Sequence, residues 1–201
     1  MPAARLALVV LIGLGVLGYS AWLLEFLLPT GVSPIEAPVE DLMLARPLFR
    51  IAVGVAGLAF LAAGPPLMRL APVHWTGRTT AVSVAGFGIV LLVDAGVPGA
   101  MPLPLLQNVL FAVGTVSLVL WWPPGWRAWA VGALVLVLLT WALVLFGPAP
   151  WRGVFSRAQL VVRSAELIIG GVYVVRMPLS RSRKMSVPGE MLRSTRPTRP
   201  K

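Results

Sequence analysis

Six apolar runs, each near the length a helix needs to cross a bilayer, constrain this chain more than any other feature. A hydrocarbon core about 30 Å thick takes roughly 20 apolar residues at 1.5 Å of rise each. The runs cover 6–28, 47–63, 80–97, 105–122, 128–146 and 159–175. Clusters of Gly and Pro at 64–66, 98–104, 123–125 and 147–150 fall between runs two to six, where such residues punctuate helices. The pattern predicts an all-α polytopic bundle of six transmembrane helices over 1–177. The remainder, 178–201, is basic, rich in Ser and Pro and poor in apolar residues, and is predicted to be a disordered tail.

Composition agrees with a membrane location. Only 12% of residues are charged, against about 25% in a soluble domain, and the mean hydropathy is +0.87. The net charge of +10 invites a nucleic-acid reading, but seven of the seventeen Lys and Arg lie within 181–201, outside the apolar part. A basic segment just past a span is a topology signal or a site for anionic lipid. Arg181, Arg183 and Lys184 are therefore expected to bind membrane lipid, and nucleic acid is not expected as a partner. The absence of Cys excludes disulfides, thiolate metal sites and Cys nucleophiles. Arg outnumbers Lys fifteen to two in an Ala-, Gly-, Pro- and Val-rich chain, a bias that points to a GC-rich bacterial genome. The first run is read as a retained span: it is too long for a signal-peptide core, and no small-x-small site follows it.

Orientation follows from Lys and Arg near the span ends. With the N-terminus cytoplasmic, twelve basic residues fall inside and four outside: Arg46, Arg50, Arg152 and Arg157. Both termini are therefore expected in the cytoplasm of a bacterium, with the chain in its plasma (inner) membrane.

This topology sends most of the acids to the outer face. Glu36, Glu40 and Asp41 fall in the first outer loop, "SPIEAPVEDLMLARPLFR", where they are expected to be solvated and to neutralise the outer arginines. Asp94 closes the third span as an interfacial helix-end group. Arg163 and Glu166 lie within the sixth span, three residues apart on one helical face. Ionisable groups in a span face the bundle interior and need partners. Two readings stand: an ion pair that fixes packing, or a pocket in which Arg163 and Arg50 hold an anionic headgroup or carboxylate. The expected ligand-binding surface is thus Glu36, Glu40, Asp41, Arg46, Arg50, Asp94, Arg163 and Glu166. Tyr19 and Ser20 are read as packing groups, and Gly54, Gly57, Gly86 and Gly88 as points of close helix approach. Trp121, Trp122, Trp126 and Trp129 are read as an interfacial aromatic belt.

No catalytic residue, metal site or cofactor is expected. There is no G-x-S-x-G, H-E-x-x-H, Walker or Rossmann pattern. The one histidine, His74, falls in an inner loop, away from any outer or mid-membrane serine, and one histidine does not make a zinc site.

The outer loop beginning "SPIEAPVEDL" and ending "RPLFR", the third span closing on "DAGVP", and the last span introduced by "GVFSRAQLVVR" together resemble the DUF998 family of bacterial six-helix membrane proteins. Ser33, Pro34 and Glu40 match the family's loop motif, Pro47, Leu48 and Phe49 its end, and Arg157 or Arg163 its last element. The likeness spans about residues 6–177, with short, loose motifs. The family's histidine at the start of the fourth span is missing from "PLPLLQNVL". The eukaryotic Frag1/DRAM/Sfk1 proteins share a similar loop style. The resemblance implies fold and topology, not a reaction. The leading expectation is a small membrane protein that binds a lipid or a partner protein through a charged outer vestibule. The alternatives are a permease for a small anionic solute, a lipid-headgroup-modifying enzyme and an accessory subunit of a membrane complex.

Overall fold

Helix formation follows the apolar runs, because a backbone in hydrocarbon must satisfy its polar groups internally. The computed structural model describes residues 3–71 and 74–176. Seven α-helices are α1 (Ala3–Tyr19), α2 (Glu40–Ala45), α3 (Pro47–Leu70), α4 (Trp75–Gly96), α5 (Leu103–Trp121), α6 (Pro124–Phe146) and α7 (Arg152–Arg176). Short 3-10 segments, Ala21–Phe26 and Ala149–Trp151, extend α1 and precede α7. Six units are long and apolar enough to cross a membrane: α1 with its 3-10 extension, α3, α4, α5, α6, and α7 with its 3-10 lead. No strand occurs among the described residues.

The helix starts have local causes. Arg46 is extended (φ −144°, ψ 125°) and Pro47 opens α3. A residue before proline is pushed out of the α region, while the proline ring pre-sets the first helical turn. Pro124 opens α6 in the same way. One expected break is corrected: Gly64, Pro65 and Pro66 lie inside α3, which runs on to Leu70. Within a bilayer, ending the helix there would strand backbone groups that proline disturbs only locally. Helix α4 likewise begins at Trp75, earlier than the apolar run, because hydroxyl-bearing Thr76, Thr79 and Thr80 are accommodated in its first turns; Thr79 and Thr80 donate to the carbonyls of Trp75 and Thr76.

The six long helices form a closed ring. Each of α3, α4, α5, α6 and α7 packs on the next, and α1 closes the circuit by touching both α3 and α7. The tightest seam joins α3 to α4. A Cβ at Gly88 would lie 2.5 Å from the Leu61 amide nitrogen and 2.6 Å from the Gly57 carbonyl oxygen, so only glycine allows this approach. Phe60, Phe87 and Phe111 pack across α3, α4 and α5, tilted in the first pair and edge-on in the second, with Tyr19 of α1 edge-on against the first two. Helix α6 is peripheral and buries only Ala130, Val137 and Thr140.

At one end of the ring, hereafter the loop end, residues 20–46 fold over the bundle. At the opposite end Trp122 is 2% exposed and packs against Trp126 and Tyr173. Trp122 is therefore a packing residue inside the bundle, which corrects its assignment to an interfacial belt. Trp129, at 62% exposure, keeps a position suited to one.

Candidate functional site

The loop end holds a polar vestibule of about 670 Å³ of unfilled space. Tyr19 reaches it from the end of α1, Glu40 from α2, Asp94 from α4, Gln107 and Asn108 from α5, and Gln159 and Arg163 from α7. Its floor is a hydrogen-bonded hub. Arg163 donates from Nη1 to the Tyr19 hydroxyl at 2.9 Å and from Nη2 to Asn108 Oδ1 at 2.6 Å. Gln159 Nε2 donates to the same Asn108 oxygen at 2.6 Å. Asn108 is fixed in turn by its Nδ2, which donates to the Pro104 carbonyl at 2.8 Å. The guanidinium also lies 5.9 Å and 5.5 Å from the ring centres of Phe87 and Phe111. Arginine suits this position because its planar fork reaches two partners while its face rests on aromatic rings. Arg163 stands eleven residues after Arg152, hence about 16 Å along α7 and near mid-membrane.

The wall carries the acids. Asp94 accepts from Gln107 Nε2 at 3.0 Å and from the Gly99 amide at 3.4 Å. Gly99 makes that turn at φ +74°, a conformation that favours glycine. Glu40, in the first turn of α2, is partly buried. Burial raises its carboxyl above the ordinary 4.5, its own backbone amide opposes the rise, and the nearby Asp94 charge adds to it.

A clasp holds the vestibule's rim in place. Arg157 of α7 pairs with Glu25 through Nε–Oε1 at 2.6 Å and Nη2–Oε2 at 2.5 Å. Its Nη1 donates to the Ala37 carbonyl at 2.8 Å. The Gly153 amide donates to the Ile35 carbonyl at 2.8 Å, and the Val39 amide to Ser156 Oγ at 3.3 Å. The 33–39 segment is therefore docked on the first turns of α7.

The vestibule brings together three of the expected ligand-binding residues, Glu40, Asp94 and Arg163. The others fall elsewhere. Glu36 is exposed on the loop, and Asp41 follows Glu40 outside the vestibule lining. Arg46 donates to the Pro29 carbonyl at 2.7 Å. Arg50 donates to the Ala95 and Gly96 carbonyls, each at 3.0 Å, and so satisfies the end of α4. Two expectations are corrected. Arg163 and Glu166 do not pair; Glu166 Oε1 accepts from Thr115 Oγ1 at 2.7 Å instead. Nor do the loop acids neutralise the arginines: among the described residues the one ion pair is Glu25 with Arg157. Arg181, Arg183 and Lys184 lie outside the described residues.

Sequence reading missed Gln107, Asn108 and Gln159 as site residues. The signal was present, since carboxamides inside apolar spans need partners, and Gln159 and Arg163 share a face at i, i+4.

A second cavity, with about 680 Å³ of non-atom space counting its open mouth, lies beyond the hub toward the opposite end. Phe87 and Phe111 line it from beneath the Arg163 guanidinium, and Glu166 borders it. One layer of side chains thus separates the two spaces. Among the described residues no group of three or more His, Cys, Asp or Glu is placed to hold a metal ion.

These features define an integral membrane protein with six candidate spans and a polar vestibule at one end. No family model, curated protein or solved structure matches the chain.

Proposed function

We propose that this membrane protein is a non-enzymatic lipid-binding protein whose vestibule receives a zwitterionic headgroup. The observation that carries this reading is the convergence of Glu40, Asp94 and Arg163 on one space. Two carboxyl groups on the wall suit an ammonium or hydroxyl group. The N–H donors of Arg163 not engaged by Tyr19 and Asn108 suit a phosphate. The distribution of basic residues supports a vestibule facing outward from a bacterial plasma membrane, both termini cytoplasmic, and the loop likeness to DUF998 proteins supports kinship with that family.

The test is retention of lipid. Purified protein should carry a zwitterionic phospholipid detectable by native mass spectrometry. Glu40→Gln with Asp94→Asn should strip it while leaving the thermal transition within a few degrees of wild type. Lipid retained at the wild-type level by that variant would rule the reading out. Sidedness is checked separately with Glu36→Cys, which should react with a membrane-impermeant maleimide in intact cells.

The two cavities in series favour a second reading, a permease for a small solute. Here the gate is the layer of Tyr19, Arg163, Phe87 and Phe111 that lies between the two spaces. Solute flux in proteoliposomes that responds to Phe87→Ala supports it; absence of flux for anionic and zwitterionic solutes removes it.

A further inference from the structure

We infer that the second cavity is an intramembrane site for a lipophilic ammonium ion, separate from the vestibule and independent of the headgroup reading. Glu166 is 7% exposed. Its Oε1 is held by Thr115, but its buried Oε2 has no hydrogen-bond partner among the described residues. No basic side chain there lies within ion-pair distance of it. An unpaired carboxylate oxygen in an apolar space is costly, and an ammonium ligand supplies the missing donor together with a charge at hydrogen-bond distance, nearer than Arg163 comes.

The rest of the lining fits the same ligand. Phe87, Phe111, Trp121, Trp122 and Tyr173 turn aromatic surface to the cavity. Aromatic faces attract a cation and bury its hydrocarbon. Arg163, already on Phe87 and Phe111, sits on the vestibule side; Trp121, Trp122 and Tyr173, packed on one another, give the rest of the aromatic lining. Trp122 adds a polar anchor: its Nε1–H is buried without an acceptor among the described residues. Trp122 follows Thr115 by seven residues, which places it about 10 Å along the helix axis from the Thr115–Glu166 contact. The site therefore selects an elongated amine, its cation at Glu166 and its apolar body among the rings. An acceptor atom near Trp122 would strengthen binding further.

The experiment uses the full chain in nanodiscs of zwitterionic lipid, with empty discs subtracted. Two probes of one skeleton are titrated, 4-phenylbutylamine and 4-phenyl-1-butanol, with tryptophan fluorescence as the signal. The amine should bind saturably and at least tenfold more tightly than the alcohol. Glu166→Gln should erase that difference. Gly170 lines the cavity, and a Cβ built there meets nothing within 4 Å. Gly170→Leu should therefore fill the space, keep the carboxylate and abolish binding of both probes. Equal binding of amine and alcohol, a preference that survives Glu166→Gln, amine binding that survives Gly170→Leu, or no saturable signal would each overturn the inference.

Discussion

Arg157 and Glu25 are 132 residues apart in the chain, yet they form a two-point ion pair that ties the end of the first span to the start of the last. Their side chains are 7% and 1% exposed. Removing one partner of a buried pair strands the other and costs about 3–5 kcal/mol, whereas replacing both is far milder. Arg157→Met or Glu25→Gln alone should lower unfolding stability by about that amount. The double variant Glu25→Leu with Arg157→Met should lose clearly less than the sum of the two. Equilibrium unfolding in mixed micelles reads this; additive losses would show the two groups do not act as a pair.

Glu40 makes stability depend on pH. Burial, the largest influence, holds its carboxyl above the ordinary 4.5, its own amide opposes this, and the Asp94 charge adds to it. The folded state therefore binds the proton more tightly than the unfolded state does. The resulting stabilisation is complete below about pH 4.5 and is lost as pH rises through the raised value. Glu40→Gln stays neutral throughout. Its melting temperature should gain on wild type as pH rises past the ordinary glutamate range, and parallel melting curves would contradict this.

The α3–α4 seam tolerates no methyl group at Gly88, where a Cβ would fall 2.5 Å from the Leu61 nitrogen. Gly88→Ala should destabilise by about 1–3 kcal/mol through overpacking. Gly132 of α6 has nothing within 4 Å of such an atom, so Gly132→Ala should be neutral or stabilising by up to about 1 kcal/mol. Thermal unfolding of the two variants side by side is the check; equal effects would show that helix propensity, not contact, decides.

Docking of the 33–39 segment rests on Gly153. A Cβ there would lie 2.5–2.7 Å from the carbonyl oxygens of Pro34, Ile35 and Ala37. Gly153→Ala should lift the segment off α7 without melting the ring. With Val39→Cys as reporter in this otherwise cysteine-free chain, thiol labelling should speed up several-fold in the Gly153→Ala background. An unchanged rate would mean the segment stays seated.

The spans were legible because their signal is local: each run carries its own length and polarity. Their ends were less so, as α3 shows by passing through Pro65 and Pro66 to Leu70. Charge in the sequence singles out Glu40, Asp94 and Arg163, which line one vestibule, but it does not name their partners. Spacing three apart proposes that Arg163 meets Glu166, yet each points to another helix, to Tyr19 and Asn108 in one case and Thr115 in the other. Helical periodicity sets which face a residue occupies; only the ring's closure sets what it faces. The Glu25–Arg157 pair illustrates the same limit, since nothing in either neighbourhood names the other.

Ring closure through α1 and α7 also orders biogenesis. Of the described helices, α1 is soon followed by one of its two neighbours, α3, but the other, α7, is made after the remaining four spans. Until α7 inserts, Glu25, Tyr19 and Ser20 wait without Arg157, Arg163 and Ser164. A chain that lacks α7 therefore leaves an open seam along α1 and α6, with the Glu25 carboxylate unpaired.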